Sequence, residues 1–253
     1  MSWTAPTKRL LTAALATGLA LTTAACSGDE APEADASAYD NADVLAEMTD
    51  AVADAGSVRM TLGTKQSPED ITVDTSWGGE PVMRALTGGD PALQLDMRRV
   101  GSRAYLGGEL VGHQWTYLDV DDPRLSDPDS TFDAGPMPTL LAIDVPGDLA
   151  ALESAVSEAT SEGTEEIDGQ QTDHYSLTVD SQAWFKGLAE SSMYRGMDLP
   201  ANVTMDLYVD DESLPVRLAY EVPDEAEESA QIGFTEWGTP VEVAAPKRAR
   251  PVS

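Results

Sequence analysis

The chain has 253 residues, 45 acidic against 15 basic, and a formal net charge of −30 at pH 7. So acidic a surface repels nucleic-acid phosphate and anionic headgroups, which excludes nucleic-acid binding and attachment to a membrane by a basic patch. A single cysteine excludes an internal disulfide, so the fold rests on its own core, and the length suffices for one.

Residues 1–25 read as a lipoprotein signal peptide. Lys8 and Arg9 precede an apolar run from Leu10 to Leu21, and a stretch of small residues follows. Thr12, Thr17 and Gly18 dilute the run, which is too short to span a bilayer. Cys26 follows Ala25 and resembles the acylated cysteine of a bacterial lipobox, although Thr23 stands where such boxes usually carry leucine. Acylation of Cys26 predicts a chain anchored on the extracytoplasmic face of the cell membrane, since two acyl chains at about 0.8 kcal/mol per methylene hold stably. An ordinary secretory signal with a chance cysteine is the alternative. Without residues 1–25 the balance is 13 basic against 45 acidic.

Residues 26–40 are polar and lack apolar periodicity, which predicts a disordered tether. A single domain is expected over 41–246, and 247–253 is expected to be a disordered basic tail. From Asn41 to Ala55, Val44, Leu45, Met48 and Val52 recur at helical spacing. The period then changes to two in Val58, Met60, Leu62, in Ile71, Val73, Thr75, and in Leu93, Leu95, Met97. Short strands follow at Arg103 to Leu106 and Gln114 to Leu118. Residues 119–138 read as loop, and Thr139 to Ile143 and Asp148 to Thr160 as helices. Alternation resumes in Tyr175, Leu177, Val179, in Val203 to Val209, in Val216 to Val222, and in Ile232 and Phe234. A helix from Ser181 to Ser192 interrupts these strands, with Trp184, Phe185 and Leu188 on its apolar side.

Turns this short exclude a parallel doubly wound sheet. The expected class is α+β, a single curved antiparallel sheet with helices packed on its concave face. The opposite face, carrying Gln94, Asp96, Arg98, Ser176, Thr178, Thr204, Asp206, Arg217 and Glu221, is expected to be wet.

The strings Asp168–Asp180 and Leu199–Asp210, the closing Phe234–Val241, and Trp115-Thr116-Tyr117-Leu118 together resemble the LppX/LprAFG lipoproteins. The resemblance covers the domain and implies a half-open barrel of LolA-like architecture, holding a lipid or lipoglycan between sheet and helices and moving it across the envelope. It implies no catalytic residues and no cofactor. Strand alternation makes Met60, Val73, Leu95, Met97, Leu140, Leu141, Trp184, Leu188, Met205, Leu207 and Leu218 the candidate cavity lining, and methionines, Met48, Met83, Met193 and Met197 included, suit an adaptable wall. The alternative from the residues alone is a filled core in a non-catalytic interaction or sensor protein.

Catalysis is not expected. The two histidines, His113 and His174, sit in no recognised motif, and there is no nucleophile elbow, zincin helix or phosphate-binding loop. The acidic loop from Asp119 to Asp133 lacks the glycine and terminal glutamate of an EF-hand, so no metal site is expected there, and Asp224 to Glu228 reads as a charged hairpin tip. Trp77, Trp115 and Trp184 would report on a cavity that they border, with Trp237 a structural plug.

Overall fold

Leu45, Met48 and Val52 bury one stripe of α1 (Asn41–Ala55), the first element of a computed structural model that describes residues 41–64, 70–125, 127, 129–190, 192–197, 199–220 and 230–252. The signal peptide, Cys26, the tether and the Asp224–Glu228 turn lie outside the described residues. Six strands follow as a meander: β1 (Ser57–Thr64), β2 (Ile71–Ser76), β3 (Val82–Thr87), β4 (Leu95–Val100), β5 (Arg103–Gly108) and β6 (Thr116–Asp119). Two helices come next, α2 (Met137–Leu141) and α3 (Val145–Ala155). A second meander contains β7 (Val156–Ile167), β8 (Gln170–Asp180), β9 (Asn202–Val209), β10 (Pro215–Tyr220) and β11 (Ala230–Thr235), with α4 (Ser181–Gly187) between β8 and β9. The last element is β12 (Arg250–Pro251).

All the strands join one open sheet in the order β12-β6-β5-β4-β3-β2-β1-β11-β10-β9-β8-β7. The two meanders meet where β1 pairs with β11, Met60 opposite Phe234. Every pairing is antiparallel except β12 on β6, which is parallel. The expected α+β sheet with helices on one face is therefore the fold observed.

Inner-face rows carry the core. Met60, Val73, Ala85, Met97 and Leu106 face one another across β1 to β5, all buried. Leu207 and Leu218 pair across β9 and β10, and Met205 pairs with Leu177. Onto this face the helices press Met48, Val52, Leu149, Leu152 and Trp184, all in one cluster. Six methionines, Met48, Met60, Met83, Met97, Met137 and Met205, are at most 3% exposed.

The helices are set by local chemistry. Asp144 caps α3 by accepting the Gly147 amide, and Pro146 fits its first turn. Asp180 caps α4 through the Gln182 and Ala183 amides. At the end of α4, a side chain on Gly187 would meet Ala151 Cβ at 3.0 Å, so its absence lets α4 lie close on α3. Thr49 on α1 donates to Glu153 on α3 at 2.9 Å.

Four expectations need correction. Helical structure expected to Thr160 ends at Ala155, because Val156 onward gains a full ladder against β8. That edge strand is exposed, rich in glutamate and twice bulged, features that discourage pairing with another chain. The helix expected from Ser181 to Ser192 stops at Gly187, and Met193–Gly196 forms a separate 3-10 turn. Leu93 is not in a strand but in a 3-10 turn, 59% exposed. The tail expected to be disordered from 247 contains β12: the Arg250 amide donates to Trp115 O at 2.9 Å and the Val252 amide to Tyr117 O at 3.1 Å.

Candidate functional site

Two spaces lie between the sheet and its helical cover. The inner one is bounded by Met60 of β1, Leu218 of β10, Phe234 of β11, Val145, Asp148, Leu149 and Leu152 of α3, Trp184 of α4 and Tyr194. Its walls are mostly apolar, with the Asp148 carboxyl among them, and the room inside is about 10 Å³, at the threshold for a single water. The interior is nearly filled.

The second space is a groove at the end of the sheet. One part, about 340 Å³, is bounded by Trp77, Met83, Arg99, Leu141, Ile143 and Val145 among others. A neighbouring part, about 330 Å³, is bounded by Arg99, Val120, Asp121, Asp122, Leu125, Pro138, Leu141 and Ala142. Arg99, Leu141 and Ala142 line both parts, and Val145 lines both the groove and the inner cavity. Each part has the size of a small-molecule site.

Of the residues expected to line a cavity, Met60, Trp184 and Leu218 line the inner space and Leu141 the groove. Val73, Met97, Leu140, Leu188, Met205 and Leu207 are buried in the packed core and border neither space, and half-buried Leu95 packs on that core. Alternation finds the inner face of a strand but not where two layers fail to meet. The groove residues missed, above all Arg99, Ile143 and Val145, lie at strand and helix ends, where periodicity carries no signal.

Polar groups collect at one wall of the inner space. The Asp148 carboxyl is 8% exposed, accepts from the Asp144 amide at 3.4 Å and from the Ser192 hydroxyl at 3.3 Å, and is pushed up to about 7, chiefly by burial. Burial, with the Asp148 charge beside it, pushes the Tyr194 phenol far above its ordinary range. The indole N–H of Trp184, buried and stacked near Phe185 and Tyr194, has no hydrogen-bond partner among the described residues.

The outer face is polar, as expected, but ordered by charge. Arg84 and Arg98 grip Asp96 at 2.9 and 2.7 Å. Asp96 is thereby 8% exposed rather than wet; burial pushes its carboxyl up, but the two guanidiniums hold it below its ordinary value. His174 lies here, 3.0 Å from Asp206 and stacked on Tyr208, while His113 is exposed in a turn beside Glu109. Residues 239–243 border a polar space on this face beside Arg59, Asp74 and Arg84, and Ala244 O accepts from Arg98 at 3.1 Å. Trp115 lies on this face too, under Arg98, and so borders neither inner space, whereas Trp77 borders the groove. Trp237 closes the sheet end, donating to Pro215 O at 2.9 Å and packing on Phe234 and Trp77. In the acidic loop, Asp127 and Asp133 accept backbone amides and Asp122 binds Arg124.

No family model matches the sequence, and no curated protein matches it. Among solved structures the chain is similar to LprF from Mycobacterium bovis, at 16% identity and a TM-score of 0.56, over 82% of this chain and 97% of that one. It is also similar to the lipoprotein LppX from Mycobacterium tuberculosis, at 17% identity and a TM-score of 0.48, over 80% and 98%. A LolA superfamily protein from Nitrosomonas europaea overlaps at 10% identity and a TM-score of 0.30, over 77% and 90%. At such identity the likeness to LprF shows a shared fold, the one implied by the resemblance of the sequence to the LppX/LprAFG lipoproteins.

Proposed function

We propose that this chain is a non-catalytic envelope lipoprotein, anchored through Cys26 on the extracytoplasmic face of the cell membrane, that takes the acyl part of a lipid or lipoglycan between its sheet and helical cover and hands it on. The observation that carries this reading is the sheet–helix seam itself. Met60 borders the inner pocket and Met83 the groove of about 340 Å³, unbranched side chains that repack cheaply, and Val145 borders both spaces. The fold shared with LprF supports it.

The nearly filled interior favours a second reading, a protein-interaction or sensor lipoprotein with a filled core. Native mass spectrometry of the full-length protein from its own envelope, with lipid extraction, separates the two. A stoichiometric lipid is the expected result. An apo mass together with no uptake of added native lipids would replace the carrier by the filled-core protein.

A further inference from the structure

Arg99 interrupts an otherwise uncharged row. Across β1 to β6 that row reads Val58, Thr75, Met83, Arg99, Ala104, Leu118, and each of the other five is at most 8% exposed. Arg99 is thus the charged member of a row on the face on which the helices pack, and it lines both parts of the groove. Its one described bond runs from Nε to Gly101 O at 3.4 Å, long for such a contact. The terminal guanidinium nitrogens have no partner among the described residues.

Acids outnumber bases three to one, and several arginines pair with a carboxylate, whereas Arg195 donates to Leu188 O and Arg103 lies over the Tyr117 ring. Arg59 pairs with Asp74 and Glu236, Arg84 and Arg98 with Asp96, Arg124 with Asp122, and Arg217 with Asp168. The acids bordering the groove do not serve Arg99: Asp122 is held by Arg124 at 2.9 Å, Asp144 caps α3, and Asp121 is exposed. A planar fork of donors with no anion, beside Met83 and Leu141, is half of an ion pair.

We infer that the groove seats an amphiphile with an anionic head, a carboxylate or phosphate, on the Arg99 guanidinium, with its chain along Trp77, Met83, Leu141 and Ile143 towards Val145. This rests on the carrier reading and narrows it to the class of cargo. The protein's field repels anions at long range, and a charge-assisted contact with the half-buried guanidinium offsets it at close range.

The test offers the full-length protein in phosphatidylcholine vesicles three photoreactive probes of equal chain length: a fatty acid, a lysophosphatidic acid and a monoacylglycerol. At least one acid should label the wild type about tenfold or more above the neutral probe, as expected of a charge-assisted contact. The labelled peptides should come from the groove, and which acid labels separates carboxylate from phosphate. Arg99→Gln should bring the ratio near one, and Arg99→Lys should keep part of it, with thermal melts to show that both variants fold. Equal labelling of the wild type by all three, or a ratio unchanged in Arg99→Gln, overturns the Arg99 seat and leaves the carrier standing. Labelling by none overturns both.

Discussion

Asp148 is a buried carboxyl whose ionisation lies far from its ordinary range. Its carboxyl, 8% exposed, keeps its proton to about pH 7 because burial penalises the charge, and the neighbouring Asp144 adds to that. An unfolded chain releases the same proton near pH 3.8, so between those values the native state binds more protons, and stability falls as pH rises through the window and levels off above it. A shift of this size is worth on the order of 4 kcal/mol. Asp148→Asn keeps an acceptor for the Ser192 hydroxyl and the Asp144 amide without the charge. The variant should therefore lose less stability than the wild type as pH rises through the window and exceed it at about pH 8, by denaturant titrations at several pH values. A difference between variant and wild type that does not change with pH would mean that Asp148 ionises freely. Met97, fully buried in the centre of the inner face, gives the contrasting case: Met97→Ala should cost about 2–5 kcal/mol at every pH, because it leaves a void that close-packed neighbours cannot fill. Period-two alternation made Met97 legible as inward-facing. Nothing in the sequence shows that Asp148, on the helix facing it, is also inside, since a helical aspartate normally faces water.

Elements were legible where one face is buried and the other is not. α1 and the strands from β8 to β11 follow that rule, and all were expected near their observed positions. β3 was not, because Leu86 lies on the outer face opposite Asp96 and breaks the alternation of Met83 and Ala85. β7 was not, because an edge strand exposed on both faces has little apolar pattern to display. β12 is two residues long and exists only through its partner, a pairing between residues far apart in the chain. Deleting residues 247–253 removes both strand bonds to β6 and the contact from Arg124 Nη1 to Val252 O at 3.2 Å. The truncated protein should lose about 1–3 kcal/mol, and the bare β6 edge should raise self-association. Melting curves and light scattering read the two effects, and an unchanged melt with no association would show that β12 contributes nothing to the sheet.

At the scale of the molecule, the nearly filled interior can admit a chain from the groove only if the helical cover moves. The sheet is one continuous ladder from β7 to β12, so opening the seam by splitting strands would break rows of hydrogen bonds at once. Lifting α3 and α4 costs mainly apolar contact, and repacking flexible methionines recovers part of it. The cover should therefore open below the global unfolding free energy, with amides of α3 and α4 exchanging with solvent faster than those of β1, β2, β9 and β10. A ligand that enters from the groove stabilises by mass action whatever state holds it, so a bound amphiphile should raise the melting temperature. It should also change exchange in the helices more than in the strands. Helices and strands exchanging together, through global unfolding alone, would mean that the seam does not open, and the filled-core reading would then account for the fold without a cargo.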